Sequence, residues 1–341
     1  MTTTATAPLS KKQQTRFPGL SKETLLKWYS DMLLVRRFEE KCAQLYGTGK
    51  IMSFCHLYNG QEAVSTGAVM GAIQPDDYVI TAYRDHGLAI SKGVDPKAIM
   101  AELLGKHTGT TKGKGGSMHM FDSGKNFLGG HAIVGAHLPL AAGVAFASKY
   151  REDKRICLCF LGDGATNIGN FHESLNLAAL WKLPVVYIIE NNMYSMGTSV
   201  ERSSAVEELN KKALAFDMRN EVVDGSSVFE VYQKVKAAAD LARSSNEPSL
   251  LEVRTYRYRG HSMSDPVSGH YRTKEEVEER KRHDPVTAFA EQLKAEAIVD
   301  DAKLEAIEER VKSIVNEAVT FAENSPEPPA EELWNDVYYG E

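Results

Sequence analysis

The sequence predicts an α/β protein built on a doubly wound, mainly parallel sheet with helices on both faces, followed by a helical C-terminal region. Three observations carry this expectation. The runs ICLCFL (156–161), PVVYIIE (184–190) and SLLEV (249–253) are apolar at consecutive positions, as strands covered by helices on both faces must be, whereas half-exposed strands alternate. Segments of helical periodicity separate these runs, which is the pattern of parallel strands joined by crossover helices. A chain of 341 residues with 43% hydrophobic and 25% charged side chains can bury a large core without disulfides or metals.

The elements follow in chain order. Residues 1–21 read as a disordered arm, and Met1 to Arg16 lacks the apolar core of a secretory signal. From Lys22 to Tyr46, Leu25, Trp28, Tyr29, Met32, Leu33, Val35 and Phe38 fit one face of a helix, with Ser21 as N-cap and Gly47 just past the end. Between Ile51 and Gly143, Asn59-Gly60, Pro75-Asp76 and the run Lys112 to Gly116 punctuate the chain densely, so much of this stretch is expected to be loop. Six of the ten histidines lie there, at 56, 86, 107, 119, 131 and 137, which suggests the rim of an active site. The middle then alternates: strand Ile156 to Leu161, helix Asn170 to Leu180, strand Val185 to Glu190, strand Glu221 to Val223, helix Phe229 to Arg243, strand Leu250 to Tyr256. Beyond Thr273 charged helices follow, with Glu275 to Arg282 and Asp300 to Glu323 the clearest. The α/β domain with its N-terminal helix is thus expected over 22–272, and C-terminal helices packed on it over 273–341.

A net charge of −6 argues against nucleic acid as partner, because phosphate-backbone binding needs a concentrated basic excess. No apolar run approaches the eighteen or so residues that span a bilayer, so no membrane partner is expected. Cys42, Cys55, Cys157 and Cys159 lack C-x-x-C spacing and read as packing residues in a reducing compartment, a bacterial cytoplasm ahead of an organelle matrix.

The chemistry concentrates at two strand ends. Gly162-Asp163-Gly164 directly follows the strand ending at Leu161, and Asn191-Asn192 follows the strand ending at Glu190, with 26 residues between the motifs. Open α/β sheets bind ligands at this carboxyl edge. An aspartate, an asparagine side-chain oxygen and a backbone carbonyl are hard oxygen ligands suited to magnesium, which commonly keeps a diphosphate as partner, and glycine lets the backbone approach a phosphate closely. Alone, Gly-Asp-Gly is most often a plain turn; the pairing at two adjacent strands points to a site. By contrast Lys112 to Gly116 lacks Walker A spacing and reads as a flexible loop beside the site, and Glu275 to Arg282 reads as a solvated face with ion pairs.

The segment GDGATNIGNFHESLNLAALWKLPVVYIIENN resembles the thiamin diphosphate signature. FCHLYNGQEAVSTG, ITAYRDHG, KGKGGSMHM, GGHAIVGAHLPLAAG, ENNMYSMGTSVERS and YRYRGHSMSDP resemble the alpha subunits of the decarboxylating component of 2-oxo acid dehydrogenase complexes, specifically the pyruvate dehydrogenase branch, from about Leu25 to about Tyr338. The resemblance implies thiamin diphosphate and magnesium as cofactors. Asp163, Asn192 and the Tyr194 carbonyl would bind the metal, and Gly162, Gly164 and Ala165 would line the diphosphate together with Tyr83 and Arg84. Ala132, where many relatives carry Gly, and Val134 would offer backbone groups to the aminopyrimidine ring, and His56 and His261 would stand at the reacting end as catalytic groups. His261 lies in Arg257 to His270, which reads as a mobile loop able to order around bound cofactor; Ser262 matches a serine phosphorylated in mitochondrial relatives, which carry His in place of Arg259.

The implied activity is oxidative decarboxylation of pyruvate, with acetyl transfer to a lipoyl group of an acyltransferase component. The family's catalytic glutamate lies on a beta subunit in two-chain members, so the implied assembly is a heterotetramer of two alpha and two beta chains. Branched-chain 2-oxo acids or acetoin are the alternative substrates, against which GHSMSDP counts. A non-catalytic assembly subunit is the rival class, and Asp163, Asn192, Arg84 and His261 weigh against it.

Overall fold

The computed structural model describes residues 16–338. Its central sheet contains β1 (Tyr78–Ala82), β2 (Phe127–His131), β3 (Cys157–Gly162), β4 (Val185–Asn191), β7 (Arg219–Asp224) and β8 (Ser249–Arg254); β5 (Tyr194–Ser195) and β6 (Thr198–Ser199) form a separate antiparallel hairpin. All pairs in the central sheet are parallel, in the order β2-β1-β3-β4-β8-β7. The helices are α1 (Lys22–Gly47), α2 (Glu62–Ser65), α3 (His86–Lys92), α4 (Pro96–Leu103), α5 (His137–Arg151), α6 (Gly169–Trp181), α7 (Val200–Ser203), α8 (Val228–Ser245), α9 (Lys274–Lys281), α10 (Pro285–Ala295) and α11 (Asp301–Asn324). No described helix is long and apolar enough to cross a membrane.

The double burial expected of the apolar runs is what the sheet shows. Successive residues of a strand point to opposite faces. Leu158, Phe160, Val186, Ile188, Leu251 and Val253 join one core with residues of α1, α3, α4 and α8. Their neighbours Cys157, Cys159, Leu161, Val185, Tyr187, Ile189 and Leu250 join the other, under α5 and α6. Each fully buried Val, Leu or Ile contributes about 1.5–3 kcal/mol, so a carboxylate at Ile188 would unfold the centre of the sheet. All four cysteines are free and buried, and the two in β3 serve packing.

Helix α1 begins where expected: Ser21 Oγ accepts the Thr24 N–H at 3.1 Å, and the helix runs through Gly47. Its buried Leu25, Trp28 and Met32 pack with Phe289, Leu293, Ile307 and Val311 of α10 and α11. The disordered arm expected over residues 1–21 lies, for residues 1–15, outside the described residues. Its end is anchored, because Phe17 is buried edge-on between Phe229 and Phe289.

The stretch from Ile51 to Gly143 holds more regular structure than its punctuation suggests, including β1, β2, α3, α4 and the start of α5. β2 carries two glycines within FLGGH, which weaken its strand pattern. In α5, Pro139 sits in the first turn, where a missing N–H costs nothing, so it does not stop the helix. Two further expectations are corrected. The run Lys112 to Gly116 is braced: the N–H groups of Thr111, Gly113, Gly115 and Gly116 converge on the Glu102 carboxylate at 2.8–3.0 Å. Nor is α9 only a solvated face, since Glu276 turns inward to accept the hydroxyls of Tyr194 at 3.0 Å and Tyr256 at 2.8 Å, and Val277 is buried.

Candidate active site

β3 and β4 pair in register with Gly162 opposite Glu190, so the chain leaving each strand meets the other one step further on. Beyond β3 it enters a 3-10 turn (Asp163–Asn167); beyond β4 it passes Asn192 and turns into the β5–β6 hairpin, with Met193 and Met196 in left-handed backbone conformation. Such non-glycine residues concentrate where surrounding structure imposes a functional shape.

One cavity at these ends is lined by Tyr83, Arg84, Val134, Gly162, Asp163, Gly164, Ala165, Asn192, Tyr194 and His261. The structure thus brings together ten of the twelve residues singled out from the sequence. Ala132 does not line it. His56 stands behind Tyr83 and His261 in a cluster of rings, with centroids 4.7 Å and 5.2 Å from theirs.

The lining also holds residues that sequence reading missed: Gln61, Gly135, His137, Glu190, Ser195 and Arg257. Only their neighbourhood to quoted motifs signalled them, since Gln61 lies in NGQEA, Glu190 precedes Asn191-Asn192 and Arg257 precedes His261. His137 was visible only as one of many loop histidines. Its Nε2 lies 2.8 Å from the Phe160 carbonyl, so that nitrogen carries the proton and Nδ1 is the acceptor.

Buried polar atoms without protein partners gather here. Asp163 Oδ2, Gln61 Nε2 and the Nδ1 atoms of His56, His137 and His261 are all buried and unpartnered. A larger cleft of about 880 Å³, lined by Met193, Tyr256 and Arg280 among others, holds none of these atoms, so the chemistry belongs to the smaller cavity. Buried polar groups without hydrogen bonds are costly and mark ligand sites.

Burial dominates the electrostatics. It raises the Asp163 carboxyl to about 6 against the opposing pull of its own backbone N–H, Arg257 and Arg84. Burial likewise raises Glu190 to about 7, although the Tyr58 hydroxyl donates to it and Arg84 opposes the shift. Burial, then the positive charges of Arg84 and its neighbours, lowers His56 to about 2 and His261 to about 4. Both imidazoles are therefore neutral near pH 7. Burial and Arg257 lower Arg84 to about 10, still charged, and its guanidinium is aimed by the Leu57 carbonyl at 2.7 Å and the His261 carbonyl at 2.8 Å.

The donor set fits a hard divalent cation and a diphosphate. Asp163 Oδ2 is unpartnered, and Asn192 Oδ1 and the Tyr194 carbonyl lie on the same cavity, both touched by Arg257 Nη1, at 3.3 Å and 3.0 Å. Gly164 approaches so closely that a Cβ there would lie 2.0 Å from Ser195 Oγ; the bare backbone leaves the cradle open. A second group of possible ligand atoms, Glu39, Cys42 and His86, is already committed. Glu39 accepts from the Tyr58 N–H and His86, and His86 Nε2 meets Ser117 Oγ at 2.9 Å.

The loop expected to be mobile, Arg257 to His270, is braced. Asp265 accepts the His261 N–H and the Tyr271 hydroxyl at 2.7 Å, and Arg272 donates to the carbonyls of Arg257, Arg259 and Val267. Ser262 is buried and shares a hydrogen bond with Ser264.

Residues 30–331 match the family model of the dehydrogenase E1 component. The chain belongs to this family. Among curated E1 relatives, it is 53% identical to "Pyruvate dehydrogenase E1 component subunit alpha" of Rickettsia bellii, over 93% of this chain and 96% of that one. It is 49% identical to the protein of that name from Zymomonas mobilis, over 94% and 90%, and 47% identical to the testis-specific mitochondrial form of Rattus norvegicus, over 94% and 81%. The E1 family is an enzyme family with a thiamin diphosphate-binding α/β fold, and this fold is the one described above.

Proposed function

We propose that this chain is the alpha subunit of a pyruvate dehydrogenase E1 component, catalysing thiamin diphosphate- and magnesium-dependent oxidative decarboxylation of pyruvate with transfer of the acetyl group to a lipoyl group. The observation that carries the reading is the oxygen set of Asp163, Asn192 and Tyr194 at the paired ends of β3 and β4, beside the backbone cradle at Gly164. The printed names of relatives about half identical over nearly the whole chain support the substrate.

Asp163 Oδ2, Asn192 Oδ1 and the Tyr194 carbonyl would hold magnesium, with the backbone of Gly164 and Ala165 and the side chains of Tyr83 and Arg84 against the diphosphate. Bound there, the cofactor supplies a nucleophilic ring carbon and an electron sink. The chain itself supplies orientation and charge. Arg84, buried yet cationic, balances the diphosphate with planar donors. His56 and His261, neutral with unpartnered Nδ1 atoms, are the catalytic groups at the reacting end, His261 on the cavity and His56 behind it beside Tyr83, and the rings around them exclude water.

The rest of the site comes from a beta subunit in a heterotetramer of two alpha and two beta chains, working with a lipoylated acyltransferase. An exposed apolar face supports a protein partner: Leu140, Phe146 and Tyr150 of α5 stand beside Leu180 and Trp181 of α6, with Phe146 and Trp181 centroids 5.8 Å apart. Four free, buried cysteines and bacterial relatives support a bacterial cytoplasm. The test is co-expression with a candidate beta chain, measuring pyruvate-dependent reduction of an artificial acceptor with and without each cofactor. Activity that needs both, prefers pyruvate to branched-chain 2-oxo acids and vanishes in Asp163→Ala supports the reading; a folded heterotetramer that binds no cofactor overturns it.

A further inference from the structure

We infer that Gln61 is a positioning residue for the metal-ligating asparagine: it fixes which atom of the Asn192 amide faces the cation. The inference rests on the proposed reading of the site and assigns a role to a residue outside the site set expected from the sequence.

Donors and acceptors around Asn192 set its orientation. A guanidinium has N–H donors and no acceptor, whereas an amide side chain has one of each and must turn one way or the other. Arg257 is 1% exposed, and its guanidinium is fixed on several sides: Nη2 donates to the Met196 carbonyl at 3.2 Å and meets the Tyr271 hydroxyl at 2.9 Å, while Nη1 donates to the Tyr194 carbonyl at 3.0 Å. The same Nη1 lies 3.3 Å from the Asn192 amide. Only Oδ1 can face it, because Nδ2 in that place would set donor against donor. Asn192 Nδ2 therefore points away, and the acceptor that receives it is Gln61 Oε1 at 2.9 Å.

The relay runs further. With Oε1 spent on Asn192, the Gln61 amide must turn Nε2 elsewhere; that nitrogen is buried without a protein partner, in a side chain that lines the same cavity as Asp163. Gln61 is 0% exposed and Asn192 is 7% exposed, so neither amide can trade its partner for bulk water. Arg257 and Gln61 thus clamp Asn192 from two sides and hold Oδ1 on the side of the Tyr194 carbonyl, as outer groups hold metal ligands generally. Without the Gln61 acceptor, Asn192 Nδ2 would lose its partner, and only the 3.3 Å contact with Arg257 would oppose turning of the amide N–H toward the metal position.

The test uses the heterotetramer with its beta chain and follows the quench of intrinsic fluorescence as Mg²⁺ is titrated at fixed thiamin diphosphate, a binding readout independent of turnover. Gln61→Met keeps the bulk and removes the acceptor, and Gln61→Glu keeps an acceptor for Asn192. The expected result is a half-saturating Mg²⁺ concentration about 10–100-fold higher for Gln61→Met, recovered to within about threefold of the parent by Gln61→Glu. Gln61→Ala, which also removes the acceptor, is expected to behave as Gln61→Met does and serves where that variant does not assemble. An unchanged Mg²⁺ requirement in the acceptor-free variants overturns the inference, as does Gln61→Glu binding no better than they do. If the parent itself shows no Mg²⁺-dependent cofactor binding, the reading of the site falls rather than the role of Gln61.

Discussion

Gly164 and Ser195 fix the distance between the loops that follow β3 and β4, because a Cβ at 164 would lie 2.0 Å from Ser195 Oγ and 2.8 Å from its Cβ. No real contact is that short, so Gly164→Ala pushes the β5–β6 hairpin away and with it the Tyr194 carbonyl, while the buried strands are untouched. The expected outcome is thiamin diphosphate binding weakened at least about tenfold with little change in melting temperature, a shift of about 1.4 kcal/mol or more in binding. Adding Ser195→Gly restores room, and the double variant is expected to regain most of the affinity. Calorimetric titration of the assembled protein decides it: a double variant no better than Gly164→Ala rules out this steric account.

What the sequence made legible was whatever repeats a physical pattern over several residues. β3, β4 and β8 were readable because strands buried on both faces have no polar positions to break the run, and α1 because its apolar spacing holds along most of its 26 residues. β1 and β2 are five residues long, and β2 spends two of them on glycine, so neither offers a pattern to detect. At the site, Asp163 and Asn192 were legible because both closely follow readable strands. Glu190 ends the readable run of β4, whereas Gln61 and Arg257 reach the same cavity from segments whose direction only tertiary packing sets. The inward turn of Glu276 was hidden in the same way, as the tyrosines that bind it lie 82 and 20 residues away.

Glu102 provides a stability prediction. Its carboxylate receives four backbone N–H groups from 111–116, a concave arrangement that favours an anion. In Glu102→Gln one oxygen becomes an NH₂ group facing those donors. The loop then loosens, with an expected loss of about 1–3 kcal/mol for the donors left unpaired. Hydrogen exchange over 109–116 is expected to quicken while exchange in β3 and β4 stays slow; protection of the loop at parental levels would sink the idea.

Glu39 and His86 form a pair with no solvent contact, Nδ1 to carboxylate at 2.9 Å. Burial works to lower the His86 pKa, and Glu39 more than offsets this, holding the imidazole above its ordinary value. Glu39→Gln leaves that histidine without its counter-charge, and breaking a buried pair in this way costs about 3–5 kcal/mol. Since His86 also meets Ser117 Oγ, which accepts the His56 N–H at 3.2 Å, the variant is expected to lose activity as well as stability. Melting of the purified assembly checks the first claim, and an unchanged transition would contradict it.

Asp31 gives a prediction with a definite sign in pH. Its Oδ2 accepts the hydroxyls of Thr66 at 2.6 Å and Ser91 at 2.7 Å. Burial raises the carboxyl to about 6 despite these two hydrogen bonds and the charge of Lys27. A carboxyl whose pKa is higher in the folded than in the unfolded protein holds its proton more tightly when folded. Its contribution to stability is therefore fully present below the unfolded value near 3.8 and is lost as pH rises through about 6. The amide introduced by Asp31→Asn cannot ionise and can still accept both hydroxyls through its oxygen. The stability of this variant relative to the parent should thus climb between about pH 4 and pH 6 and level off above it. The full change is on the order of 2–3 kcal/mol, from a shift of about two pKa units. Melting temperatures of both proteins across about pH 4–8 give the difference directly; a flat difference would show that Thr66 and Ser91 offset the burial in full, and a falling one that they hold the carboxyl below its ordinary pKa.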